Sequence, residues 1–140
     1  MNETTVTQFI VDSFPDVETS ENFGYTFFFY KTDHILPFAT LSSSDNEYDQ
    51  ISNLNRPGVF RLNIGISKQS FHTIFGHAVI DTTKYDFTVL DTILPHPEYA
   101  RQYFVCILNP SDNSFLTIVQ LLTEAYSIAE TRNSKRNATK

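Results

Sequence analysis

The chain has one cysteine, Cys106, among 140 residues, so no internal disulfide can form and the residue fits a reducing compartment. No apolar run approaches the 18 or more residues that cross a bilayer. The opening segment, MNETTVTQFIVDSFP, carries an acid where a secretion signal carries positive charge, and it interleaves apolar with polar residues. The expectation is a soluble cytoplasmic protein with no membrane segment. The Asn-x-Thr triplets at Asn2 and Asn137 then have no glycosylation meaning. Glycine is scarce too, with four residues. Gly58 and Gly65 are not followed by Gly-Lys-Ser or Gly-Lys-Thr, so there is no phosphate loop. Ser42, Ser43 and Ser44 lack the glycines of a hydrolase nucleophile elbow. No repeat and no linker rich in Gly, Pro or Ser divides the chain.

Basic residues are few as well, 10 against 16 acids. Four of the ten fall in TRNSKRNATK, the last ten residues, which contain no acid; residues 1–130 therefore carry 16 acids and 6 bases, or −10. A body this acidic repels a phosphate backbone, so nucleic acid is not an expected partner. Residues 133–140 read as a basic, disordered tail beyond a single domain at 1–132.

What the chain does have is aromatic bulk: thirteen Phe and seven Tyr within 41% apolar residues, enough for one core. Val6, Phe9, Ile10 and Phe14 predict a helix over Thr4–Phe14, stopped by Pro15. DVETSENFGYTFFFYKTD predicts two strands turning at Asn22–Gly24, and Pro37–Ser43 a third. SSDNEYDQISNLN reads as a loop with one helical turn. Arg56-Pro57-Gly58-Val59 suits a type II turn, with proline at its second place and glycine at its third. Val59–Ile64 follows as a strand. Ser67 is placed to cap a short helix that carries Phe71, Ile74 and Phe75 and ends at Gly76. A strand at His77–Ile80 and a turn or short helix at Val89–Leu94 are expected next. Pro95 and Pro97 bracket His96 and predict irregular backbone there. QYFVCILN is apolar on both alternations, as a central strand is. Phe115, Ile118, Val119, Leu122, Ala125, Tyr126 and Ala129 predict a final amphipathic helix of about four turns. The order implies an α+β domain, an antiparallel sheet with helices on one face and the other face partly open.

PFATL, DQISNLNRPGVFRLNIG, YDFTVLDTILPHPEYA and VCILNPS resemble a bacterial family catalogued only as a domain of unknown function, from about Thr4 to Arg132. That family often places a tryptophan near Tyr103, and this chain has none. The closing strand, polar turn and helix with LLTEAYSIA are similar to the end of MmcQ/YjbR-like proteins. This second resemblance implies a curved antiparallel sheet backed by helices, the frataxin-type architecture. It also implies DNA binding, which the acidic body argues against.

Neither metal nor cofactor is expected. His72 and His77 are five apart, whereas two ligands on one helical face want three or four, and no cysteine pair can help. Asp12, Asp16, Glu18 and Glu21 straddle a proline turn and read as a solvated charged surface, not an iron-binding ridge. Cys106 sits in the most apolar strand, where a thiol acts as a small hydrophobe. The candidate ligand-binding residues are Arg61, Asn63, His96 and Arg56. Period-two alternation puts Phe60, Leu62 and Ile64 on the core face, and Arg61 and Asn63 on the open one. A guanidinium there is suited to a carboxylate or phosphate, or to an internal acid such as Asp49 or Asp91 that fixes a loop. His96, on a turn between prolines, is a candidate acid or base or a backbone cap. The leading expectation is a non-enzymatic binding domain for a small anionic ligand or a second protomer. The alternative is a small enzyme with His96 as acid or base and Arg61 as anchor; DNA binding ranks third.

Overall fold

The computed structural model describes residues 1–138. Asn2 starts the first helix, α1 (Glu3–Ser13), by accepting the Thr5 N–H on its side-chain oxygen; Val6 and Ile10, four apart, form its buried stripe. A hairpin follows, β1 (Val17–Asn22) and β2 (Tyr25–Tyr30). Its two-residue loop has positive φ at both Phe23 (53°) and Gly24 (80°), the handedness that matches strand twist.

The remaining strands are β3 (Ala39–Ser42), β4 (Arg61–Gly65), β5 (Leu94–Pro95) and β6 (Phe104–Leu108). They join the hairpin in one antiparallel sheet of order β1-β2-β3-β4-β6-β5. The other helices are α2 (Lys68–Phe75) and α3 (Asp112–Ala138). Register separates the two faces. Leu41 opposes Leu62, which opposes Ile107, on the face covered by α3; Val6 and Ile10 of α1 join Ile118, Leu122 and Ala125 of α3 in that core. Thr40 opposes Asn63, which opposes Cys106, on the other face. This is the expected α+β arrangement, with Phe60, Leu62 and Ile64 in the core.

Several elements differ from the sequence expectation. His77–Ile80 forms no strand and Val89–Leu94 no helix. Instead, Pro95 lies in β5, tolerated because an edge strand needs no ladder N–H from its outer side. The 44–56 loop contains turns but no helical one. The last helix is 27 residues long, far beyond the predicted four turns. It absorbs residues 133–138 of the expected disordered tail because Asn133 and Arg136 both reach Asp33 in the β2–β3 connection. Residues 139–140 of that tail lie outside the described residues.

Candidate functional site

The second face of the sheet is partly roofed by the connections that cross it. The type II turn forms as the sequence dictates: Val59 N–H donates to the Arg56 carbonyl (3.2 Å), with φ +74° at Gly58. Arg56 then folds back on its own loop, donating to the carbonyls of Asn53 (2.8 Å) and Ser52 (3.1 Å), and to that of Thr88 (2.9 Å). It straps the 50s loop to the 80s loop and is not among the residues lining the cavity that Arg61, Asn63 and His96 share.

Arg61 shares the second face with Asn63, but the roof leaves it only 1% exposed. Its five N–H donors are all used. Nε–H donates to Asn63 Oδ1 (2.9 Å); one terminal nitrogen serves Asp49 Oδ1 (3.2 Å) and Ser52 Oγ (3.0 Å), and the other Asp49 Oδ2 (2.6 Å) and Ser42 Oγ (3.5 Å). Of the two acids the sequence offered, Asp49 is the partner. Asp91 instead accepts from Ser111 and Ser114 at the start of α3. Burial alone would raise the Asp49 carboxyl, but the bonds and charge of Arg61 and the Tyr25 hydroxyl outweigh it and hold the group below its ordinary range. Tyr25 in turn accepts from Asn46 (3.1 Å), and Asn63 Nδ2 donates to Thr40 (2.9 Å) and Ser42 (3.2 Å). Among the described residues, no buried side-chain polar atom is left without a partner. The charge pair is therefore an internally closed network.

His96 is 5% exposed, against Tyr99 and Phe104. The Pro97 turn aims the N–H groups of Glu98 and Tyr99 at Nδ1, both at 3.0 Å. Nδ1 must therefore carry the lone pair, and the proton of the neutral ring sits on Nε2. Burial, and after it the Arg61 charge, pulls the His96 pKa down to about 3, so the ring is neutral at physiological pH. Nε2 has no protein partner among the described residues, yet it is not sealed from solvent.

Arg61, Asn63 and His96 line one cavity of about 860 Å³. Its floor is Thr40, Asn63 and Gly65. Tyr25 and Phe27 of β2 form one wall, and Phe104, His96 and Tyr99 the other. The walls stand three strand spacings apart, roughly 14 Å. Gly65 is needed for this shape because the Phe104 ring lies across it: a Cβ there would meet Phe104 Cζ at 2.9 Å. At the end of the sheet the cavity continues past Phe38 and Ile66 to Ile128 and Arg132 on α3. Its exposed residues combine aromatic rings, Phe23 at 79% and Tyr48 at 85% exposure, with the carboxylates of Glu47 and Glu98. The sequence reading missed Thr40, Phe104 and Arg132 as site residues. The alternation Tyr25-Phe27 was a usable signal for the first wall; nothing local marks Arg132, which is brought in by packing.

Other candidate chemistries are quiet. Burial pushes the Cys106 thiol up to about 12, and it packs against Phe87 and Leu94. The His72 and His77 rings lie 4.4 Å apart, tilted by 41°, but among the described residues no group of three or more His, Cys, Asp or Glu is arranged to hold a metal ion. No described helix is long and apolar enough to cross a membrane.

No curated protein and no solved structure matches the chain. A family model described as a family of unknown function (DUF6194) matches residues 1–138, and the chain belongs to that family.

Proposed function

We propose that the protein is a binding domain that holds a small ligand in the cavity on the roofed face of the sheet. The observation that carries this reading is the contrast inside the cavity: the buried charges are closed on one another, while the aromatic walls and the exposed rings of Phe23 and Tyr48 face open space. A cavity of this size, mainly apolar with a few directed polar groups, is how proteins enclose small molecules.

We set aside the anion anchored by Arg61 that the sequence suggests, because every donor of that guanidinium is taken and its charge is already balanced by Asp49. The enzymatic alternative also loses its base. His96 Nε2 carries the proton and Nδ1 is occupied by two backbone donors, so no lone pair faces a substrate. The DNA-binding role implied by the MmcQ/YjbR resemblance finds no support in a lining that carries Glu47, Asp49 and Glu98 against two arginines.

The test is a thermal-shift and heteronuclear NMR screen of small metabolites, repeated on Thr40→Phe, which places a ring on the cavity floor. Ligands that stabilise the wild type by an increment growing with concentration should lose their effect in a folded Thr40→Phe protein. Ligand effects that survive the variant unchanged would put the binding site elsewhere.

A further inference from the structure

Resting on that reading, we infer that the ligand is an uncharged molecule with a flat apolar or aromatic body and a carbonyl-type hydrogen-bond acceptor, which docks on the Nε2–H of His96. The protein makes a hydrogen-bond donor at His96 that it does not use. His96 is nineteen parts in twenty buried and lines the cavity, yet its Nε2, with no protein partner among the described residues, is not sealed from solvent. The turn fixes the tautomer: with two N–H groups converging on Nδ1 at 3.0 Å, the ring cannot turn Nε2 into an acceptor without losing both bonds. The backbone N–H of His96 itself is held by the Phe104 carbonyl (2.9 Å), so the residue is anchored to the sheet at its main chain and to the Pro97 turn at Nδ1. A buried donor aimed into an apolar cavity stays unpaired when a purely apolar ligand displaces its water, and is matched only by an acceptor.

A second donor points the same way. Thr40 Oγ1 accepts from Asn63 Nδ2, and its own proton has no acceptor among the described residues. His96 Nε2–H and the Thr40 hydroxyl thus both offer a donor on the wall and floor.

Charge decides the rest. Arg61 is neutralised in place, and the exposed carboxylates of Glu47 and Glu98 oppose the single further guanidinium, Arg132, at the cavity's outer end. Neither a free anion nor a free cation finds a buried complementary charge. The body of the ligand is set by the walls, where Tyr25 and Phe27 have ring centroids 5.9 Å apart on one side and Tyr99 and Phe104 6.2 Å apart on the other.

A matched set of indoles separates the possibilities: 3-methylindole, indole-3-acetamide, indole-3-acetate and tryptamine, titrated into the full chain at pH 7 and followed by NMR. The acetamide should bind tightest, by roughly three- to tenfold over 3-methylindole, as one matched hydrogen bond allows. That preference should vanish in His96→Asn, whose side-chain oxygen still caps the Glu98 and Tyr99 N–H groups but cannot reach into the cavity. In protein labelled at histidine, the Nε2–H resonance of His96 should shift with the acetamide and not with 3-methylindole, a readout that needs no variant. Tightest binding by the acetate or by tryptamine overturns the inference. So does equal binding of the acetamide and 3-methylindole, which leaves the cavity as a binding site; failure of all four, 3-methylindole included, sinks the binding reading as well.

Discussion

Replacing Asp49 with alanine leaves the Arg61 guanidinium in place with no counter-charge. Arg61 is 1% exposed and Asp49 13% at the side chain, so the pair is neither a surface pair nor a sealed one. Exposed pairs contribute about 0–1 kcal/mol, whereas removing one partner of a buried pair costs about 3–5 kcal/mol. Arg61 keeps its bonds to Asn63, Ser52 and Ser42, and water can enter where Asp49 was, which places the expected loss near the low end, about 3 kcal/mol. The Tyr25 hydroxyl loses its acceptor too, at 2.8 Å. For a chain of this length such a loss lowers Tm by about 10 °C. Urea unfolding at pH 7 followed by far-UV circular dichroism measures it, and an unchanged m-value assigns it to stability. The freed guanidinium also makes a specific second result expected: sulfate should raise the Tm of Asp49→Ala more than that of the wild type. A loss below about 1 kcal/mol would refute the reasoning, because Arg61 would then be solvated as surface arginines are and its donors would be open to a ligand.

Three other outcomes are expected. His96 has its pKa depressed in the folded state, so the unfolded chain binds the extra proton between the ordinary value near 6.5 and about 3; stability is full above pH 6.5 and falls as pH drops through this window, by at most about 1.4 kcal/mol per pH unit from this group. The stability slope between pH 6.5 and 5 should flatten in His96→Asn, and an unchanged slope would remove His96 from the account. Gly65→Ala forces the Phe104 ring off the sheet and should cost about 1–3 kcal/mol in chemical denaturation, with part recovered in Gly65→Ala/Phe104→Leu. Phe23 holds a bulky side chain at φ 53° while 79% exposed, so Phe23→Asn should stabilise the hairpin by about 0.5–1 kcal/mol and weaken ligand binding at the rim, two effects read from the same thermal-shift titration.

The local rules of the chain reached far into the fold. Alternation along Phe60–Ile64 assigned each side chain to its face, Ser67 and Gly76 bounded α2, and the stripe Ile118-Leu122-Ala125-Ala129 marked the buried side of α3. These succeed because a helix or strand period is a property of neighbours in sequence. Elements held by partners distant in sequence carry no such local mark. β5 exists only because β6 offers it an edge, so Leu94–Pro95 carries no strand signature of its own. The end of α3 looked like a polar tail because its support, Asp33, lies about a hundred residues earlier.

The site divides along the same line. That Arg61 and Asn63 share a face away from the core was written in the sequence, and so was the rigid turn holding His96. Tertiary structure alone decided that Asp49 consumes Arg61, that two N–H groups lock the His96 tautomer and leave Nε2–H facing a cavity, and that Arg56 is a strap outside it. Composition and periodicity say which way a side chain points. Whether its donors are spent depends on which loops fold over it, and that is set by contacts between residues distant in the chain.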